Sequence, residues 1–172
     1  MKKAVRIFLI ILVLLTVISC TACSKGEPKT FSDDGISITL TDEFEKKSID
    51  GHHTLYYESK DAVVIVTKEP FSMFADGQIS QYSPLSDYTR LVLSNNQLTA
   101  EIVTKEGYEY FTYEREVETE AFFISKTRRF TYLAVTYKSD SAFWLVQFAC
   151  ESDDFSSKQA TFFAYADSVV FY

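Results

Sequence analysis

Cys20 is the residue whose type and neighbours point most clearly to a defined chemistry. It follows Val17, Ile18 and Ser19, and this tetrad matches a bacterial lipobox, with a branched apolar residue three positions before the cysteine and a small residue directly before it. In that chemistry a diacylglyceryl group alkylates the thiol, and cleavage then makes the cysteine the first residue. Because each buried CH₂ contributes about 0.8 kcal/mol, two or three acyl chains hold a protein stably on a bilayer. The sequence therefore predicts lipidation of Cys20.

The residues before the cysteine are typical of an export leader rather than a membrane-spanning helix. A basic start over residues 1–6 precedes an apolar run over residues 7–18, which is shorter than the roughly 20 residues needed to cross a bilayer. An ordinary secretory signal, for which Ser19 or Ala22 would provide the small residue at the cleavage site, is the main alternative. We expect residues 1–19 to be a lipoprotein signal peptide, so that the mature chain is anchored at the cell membrane on its extracytoplasmic face.

The other two cysteines differ from Cys20 in context. Cys23 follows Thr21 and Ala22, but the residue three positions before it is Cys20 rather than Leu or Val, so Cys23 is kept as the alternative lipidation site. Cys150 lies in strand-like apolar sequence, which predicts a buried, inert thiol. A disulfide between Cys150 and Cys23 is the alternative.

Two groups of residues have metal-binding side chains but lack a metal-binding pattern. His52 and His53 are adjacent, so on a strand they would point to opposite faces, and no Cys or carboxylate stands at a zinc-type spacing. We interpret them as an exposed turn. The pairs Asp33-Asp34 and Asp42-Glu43 flank the first predicted strand and would bind Ca²⁺ if they approached one another across it. They lack the alternation of a calcium loop, so we interpret them as solvated turns.

Phe71, Met73 and Phe74 form an apolar group in a long connection between a predicted strand and a predicted helix. Such residues either fold back as a lid on the core or present a binding surface. The lid is the favoured interpretation, and the three residues are kept as the candidate ligand or partner surface.

Catalytic constellations are missing from the sequence. There is no Gly-x-Ser-x-Gly elbow, no His-Glu-x-x-His motif and no phosphate-binding glycine loop. We therefore expect a protein that is not an enzyme and that needs no cofactor or metal. A hydrolase using paired carboxylates stays a third hypothesis, because acids are common and the sequence does not reveal their separation.

The predicted mature chain is strongly acidic. The full chain has 17 basic and 24 acidic residues, and the leader holds three of the basic and none of the acidic ones, which leaves a net charge of −10 after its removal. This balance argues against nucleic acid as a partner and suits cationic partners or divalent ions. The basic doublet Arg128-Arg129 would contact lipid phosphates or an acidic partner; we interpret it as the solvated start of a strand.

Residue patterns divide the chain into a leader, a tether over residues 20–30 and a single domain over residues 31–172. Ser83, Pro84 and Asp87 are typical of a helix start, with Ser83 as the N-cap, and Asp153-Asp154 is expected to cap a second helix. Apolar alternation and turn residues predict strands at 35–41, 54–58, 62–68, 99–105, 108–116 and on both sides of a turn at 139–141 within 128–150. Residues 63–66 and 143–148 are apolar on both faces, which predicts strands covered on both sides. Hairpins rather than crossovers indicate an α+β fold with a mainly antiparallel sheet flanked by helices on both faces.

Several segments carry a resemblance to a known superfamily. The opening Phe31 and residues 35–44, the hairpin strands at 132–135 and 142–148, and the ending at 168–171 are similar to the PsbP-like superfamily. More narrowly, the chain resembles lipoproteins of Gram-positive anaerobes with this ending. The resemblance implies an α-β-α sandwich over residues 31–172. That superfamily includes extrinsic photosystem II subunits and a Ran-binding import factor, neither of them catalytic, and their partners do not carry over to this chain.

These observations predict a membrane-anchored extracytoplasmic lipoprotein that works as a non-enzymatic interaction module. Its partners would be the lipid bilayer, through acylated Cys20, and another protein of the bacterial cell envelope. The alternative is capture of a small ligand or divalent cation, beside the loop of Phe71, Met73 and Phe74 or at the acidic turns.

Overall fold

The computed structural model describes residues 26–48, 54–74, 79–121 and 124–172. The strands in these ranges are β1 Pro28–Asp33, β2 Ile36–Thr41, β3 Glu45–Lys47, β4 Thr54–Glu58, β5 Val63–Pro70, β6 Val103–Lys105, β7 Tyr108–Ala121, β8 Ile124–Lys138, β9 Ala142–Glu151 and β10 Val170–Phe171. The helices are α1 Leu85–Asn95 and α2 Ser152–Asp167, with a 3-10 turn at Phe71–Met73. No helix in the described ranges is long and apolar enough to cross a membrane.

The strands form two antiparallel sheets. The large sheet has the order β3-β4-β5-β9-β8-β7-β6, and the small one has the order β1-β2-β10. The small sheet and α2 pack on one face of the large sheet, which we call the inner face, and α1 packs on the opposite, outer face. The predicted α+β class, with helices on both faces of a mainly antiparallel sheet, is confirmed.

The main core lies between the inner face, the small sheet and α2. Alternate residues of the central strands point into it, as the two-residue period of a strand requires. Its fully buried members include Ile38, Val64, Leu133, Phe148 and Phe162. Cys150 is in the same cluster with 1% of its surface exposed, and burial raises the pKa of its thiol to about 11. The predicted buried thiol is confirmed.

A second core lies on the outer face under α1. Tyr88 and Val92 of the helix pack on Phe111, Ala134 and Phe143 of the sheet. This helix covers only one end of the outer face, so the expectation that residues 63–66 are covered on both sides is wrong. In that strand Val64 and Val66 are buried in the main core, whereas Val63 and Ile65 are half-buried on the outer face.

Helix starts differ from their predicted positions by one to three residues. The N-cap of α1 is Pro84, whose backbone is extended, rather than Ser83. The Ser83 hydroxyl instead accepts a hydrogen bond of 3.0 Å from the Ser80 N–H, in a turn before the helix. Helix α2 begins at Ser152 with Glu151 as its N-cap, so Asp153 and Asp154 lie in its first turn. There their negative charges still interact favourably with the positive end of the helix dipole.

Strand ends differ more than helix starts. Strand β1 begins at Pro28, which pairs with Thr41, so part of the predicted tether belongs to a sheet. The strand predicted at 99–105 is limited to Val103–Lys105. Strand β8 begins at Ile124 rather than at Arg128 because its pairing with β7 continues beyond the end of β9.

Candidate functional site

The outer face of the large sheet is open at the end that α1 does not cover. A groove of about 430 Å³ lies there, within the size range of small-ligand sites. We call it the sheet groove. Its apolar lining comes from neighbouring strands: Tyr56, Val63, Ile65, Val117, Phe130, Tyr132 and Ala149.

Strand register explains why these residues meet. Val63 of β5 pairs with Ala149 of β9, and Ala149 pairs with Tyr132 of β8, so the three side chains form one row across the outer face. Tyr56 and Ile65 form part of the next row. Side chains of directly paired residues are close enough to touch. The small Ala149 between two larger neighbours makes this row the low point of the groove.

Charged side chains surround the apolar floor. Glu58, Asp61, Glu151 and Asp154 provide carboxylates, and Lys60 and Arg128 provide cations. Arg128 is ion-paired with Glu151, and its guanidinium lies 5.3 Å from the centre of the Phe130 ring. Lys158 is hydrogen-bonded to Asp61 and lowers the pKa of that carboxyl. The rim can therefore donate and accept hydrogen bonds around an apolar contact surface.

The tyrosines of the groove remain neutral at physiological pH. Tyr132 stacks on Tyr113 with ring centres 4.7 Å apart and an angle of 9°, and the Tyr113 hydroxyl donates to Oε1 of Gln147. Burial raises the pKa of Tyr113 to about 12 and also raises the pKa values of Tyr56 and Tyr132. Their hydroxyls serve as hydrogen-bond donors rather than bases, so the site is built for stacking and hydrogen bonding.

The residues of the predicted loop surface lie apart from the sheet groove. Phe71 packs edge-on against Phe143 with ring centres 5.1 Å apart, and Phe74 lies 6.0 Å from the same ring. Met73 has 69% of its surface exposed. The two phenylalanines thus act as a lid on the second core, whereas a ligand or partner surface formed by all three residues stays a prediction.

The acidic pairs do not meet. Asp34 and Gly35 both have positive φ angles, of 49° and 91°, as a two-residue hairpin turn requires, and this tight turn places Asp33 beside Ile36. Asp42 lies beyond the opposite end of β2, where its carboxylate accepts a hydrogen bond of 2.9 Å from the Glu27 N–H. The alternative, in which the two pairs approach one another across the strand, is therefore wrong. Within the described ranges, no group of three or more His, Cys, Asp or Glu residues could hold a metal ion.

The basic doublet is divided between the two faces of β8. Arg128 points to the outer face and lines the sheet groove. Arg129 points the other way and forms an ion pair of 3.2 Å with Glu116. Successive strand residues alternate between faces, so each cation is paired with a carboxylate of a different neighbouring strand.

Cys20, Cys23, His52 and His53 lie outside the described residues. The sequence analysis also missed residues that the structure does describe, namely Tyr56, Phe130 and Tyr132 of the groove. Phe130 and Tyr132 stand two positions apart on a strand next to a basic residue. In a strand this spacing places both side chains on the same face of the sheet. Only the structure shows that α1 leaves this part of the outer face uncovered.

Comparison with solved structures identifies the fold. The solution structure of cyanobacterial PsbP (CyanoP) from Synechocystis sp. PCC 6803 aligns over 90% of this chain and 98% of that one, with 15% identity and a TM-score of 0.51. The chain has a PsbP-like fold. A crystal structure from Bacteroides thetaiotaomicron VPI-5482 aligns over 84% of this chain with 13% identity and a TM-score of 0.54, and the PsbP-like domain matches 48% of that longer chain. No family model matches the chain, and no curated protein matches it in sequence.

Proposed function

We propose that this protein is a lipid-anchored extracytoplasmic interaction module without enzymatic activity, and that it binds another envelope protein through the sheet groove. The observation that carries the proposal is the uncovered end of the outer face, where half-buried aromatic rings lie inside a charged rim. Grouped apolar side chains open to solvent are typical of interaction sites. The lipobox at Cys20 supplies the location, and the lack of a catalytic motif in the sequence supports a binding role.

The anchor is tested by fatty-acid labelling in bacteria that express the full chain. We expect Cys20→Ser to lose the label and the membrane fraction, while the matched control Cys23→Ser keeps both. Loss of the label only in Cys23→Ser would move the anchor to that residue. An unlabelled wild-type protein in the cytosol would overturn the proposed location.

The groove is tested by site-specific photo-crosslinking in intact cells. A photoreactive phenylalanine at Tyr56 should give one reproducible protein adduct. The same group at Tyr82, which is 86% exposed and outside the groove lining, should not give that adduct. Equal adducts from both positions would contradict a specific partner at the groove.

A second candidate function is capture of a small molecule in the same groove, which the volume of about 430 Å³ favours. Thermal-shift screening with sugars, peptides and divalent metal ions tests it. We expect a ligand of the groove to raise the melting temperature of the wild type but not that of Tyr132→Ala. A ligand that stabilises both proteins equally would bind elsewhere.

A further inference from the structure

Strands β7 and β8 continue beyond the rest of the large sheet as a two-stranded ribbon. Strand β9 stops pairing with β8 at Phe130, and β6 pairs with β7 only from Tyr108 to Tyr110. The β7–β8 pairing itself continues to Ala121 and Ile124. We call residues 116–121 and 124–129 the arm. In the described chain no strand pairs with the outer edge of β7 along the arm.

The backbone of this edge is free to form a further ladder. Lys105 and Tyr108 close a two-residue hairpin, so the N–H and C=O groups of Tyr108 point towards β6. Every second residue after Tyr108 points the same way, which places the backbone groups of Glu116 and Glu118 on the outer edge. Unpaired backbone groups in a row are a template for an added strand.

The side chains beside this edge determine which strand fits. Glu114, Glu116 and Glu118 are exposed and, two residues apart, they share one face of β7. Arg115 and Val117 point to the opposite face, where the Arg115 guanidinium lies 5.5 Å from the Tyr113 ring. A strand added to the edge would therefore meet a row of carboxylates on one of its faces, in which Glu116 is also ion-paired with Arg129 of β8.

Charge excludes a symmetric partner. If two copies of the chain paired through this edge, the glutamates of one copy would face those of the other, and like charges opposite one another on a sheet are destabilising. Opposite charges in the same positions are stabilising. The edge therefore resists its own copy and favours a basic strand.

We propose that the outer edge of β7 in the arm receives an extended segment of a partner protein with Lys or Arg at alternate positions, which adds a strand to the large sheet. This inference deepens the proposed interaction role and rests on it, but it concerns the free backbone edge of β7, whereas the arm contributes to the sheet groove only the side chains of Val117 and Arg128. Its test uses neither the anchor nor the groove, so its failure is distinguishable from failure of the proposed function.

The test is amide hydrogen exchange of the full chain with an alternating Lys–Thr peptide of about six residues, the usual strand length. The peptide should slow exchange of the Glu116 and Glu118 amides by at least about tenfold, because their N–H groups become hydrogen-bonded. A peptide of the same sequence in which every backbone N–H is methylated has equal charge but no N–H donors for a ladder, and it should not protect them. Equal protection by both peptides, or binding without protection, would overturn strand addition and leave only a charged patch.

Three variants distinguish the effect of the glutamate charges from the effect of backbone hydrogen bonding. E116Q/E118Q should weaken binding of the Lys–Thr peptide by about tenfold, while the matched control E27Q/E43Q changes it little. Glu118→Pro removes an outward N–H and leaves the β7–β8 ladder intact, since proline is tolerated on the free side of an edge strand. It should abolish protection of the neighbouring amides. Equal weakening by both double variants would show that net charge alone attracts the peptide, contrary to the proposal.

Discussion

The outer face of the large sheet carries two aromatic stacks with nearly the same geometry and different surroundings. Tyr88 stacks on Phe143 with ring centres 4.6 Å apart and an angle of 8°. Tyr113 stacks on Tyr132 at 4.7 Å and 9°. The first pair is fully buried under α1, whereas Tyr113 and Tyr132 are half-buried beside the sheet groove. Because the stacking geometry is equivalent, we attribute a difference in what the two pairs contribute to stability to the helix that covers only the first pair.

This comparison separates stability from binding on one face of one sheet. Under α1, the two rings are fully buried among Phe71, Phe74 and Phe111, and their burial stabilises the fold. At the open end, the same kinds of residue keep part of their surface in water, and that surface is available to a partner. The length and position of a single helix thus determine which end of the face is core and which is site.

Removing a ring from the covered stack should be the most damaging change. We expect Phe143→Ala to lower the free energy of unfolding by about 3–5 kcal/mol, because it leaves a cavity next to Phe71, Phe74 and Tyr88. Urea unfolding measures the change. The control Met73→Ala, at a residue 69% exposed, should stay within about 0.5 kcal/mol. A loss below about 1 kcal/mol in Phe143→Ala would mean that α1 does not seal this end.

The Cys150 thiol lies in the main core, on the opposite side of the sheet from the groove floor. Its pKa therefore tests whether the sheet keeps water out of the core at this position. Cys150 follows Ala149 on β9 and keeps its proton up to a pKa of about 11, whereas in the unfolded chain the thiol ionises near 9.0. Between these pH values the unfolded chain has lost a proton that the folded chain retains, so stability falls as pH rises. Below about pH 9 both the folded and the unfolded chain keep the thiol proton, so the full contribution of the thiol to stability is present.

We expect the stability advantage of the wild type over Cys150→Ala to shrink by roughly 2–3 kcal/mol between about pH 8 and about pH 11, since one pKa unit corresponds to about 1.4 kcal/mol. Urea unfolding of both proteins at both pH values measures it. The tyrosines are common to the two proteins and cancel in the difference. A constant difference would show that water reaches the thiol through the groove.

A buried hydrogen bond holds α1 on the sheet. The Thr89 and Thr136 hydroxyls are 2.7 Å apart and fully buried. We expect Thr89→Val to cost about 1–2 kcal/mol, because it leaves a buried hydroxyl with a poorer set of partners. Adding Thr136→Val should cost less than the sum of the two single changes, and a double-mutant cycle in urea measures this coupling. Strict additivity would contradict a shared hydrogen bond.

Removing a ring from the open stack should have the smallest effect on stability. We expect Tyr132→Ala to cost about 1 kcal/mol, while it removes the crosslink formed from position 56. Tyr113→Phe keeps the stack and loses only the hydroxyl bonded to Gln147, so it should keep the crosslink. A loss of stability in Tyr132→Ala as large as that in Phe143→Ala would remove the distinction between the two ends.

The sequence predicts the strands and their turns better than it predicts which parts of a sheet face are covered. The strand at 36–41 and the hairpins around Ser59 and Ser139 depend on alternation and local turn chemistry, and they were located closely. Each of the two serines accepts a hydrogen bond from the N–H three residues later, at 3.1 Å and 3.2 Å. Such bonds join residues that are close in the sequence, so a short segment is enough to predict the turn.

Features that depend on distant parts of the chain were missed. The apolar run at 63–66 indicates a strand with two covered faces, but α1 covers the other end of the outer face, so Val63 and Ile65 line the sheet groove. Strand β1 and the start of β8 depend on pairing that continues past the apolar segments. Their mostly polar sequences lack the apolar alternation of a strand, and backbone pairing with β2 and β7 sets where they begin.

The small sheet joins segments from opposite ends of the described chain. Strand β2 pairs with β1 on one side and with β10 on the other, and its Ile36 and Ile38 are buried in the cluster that includes Phe162 of α2. The main core therefore cannot close before α2 has been synthesised. A nascent chain therefore stays open until then, and under the export that we propose this delay would keep it in the unfolded form that a translocation pore requires.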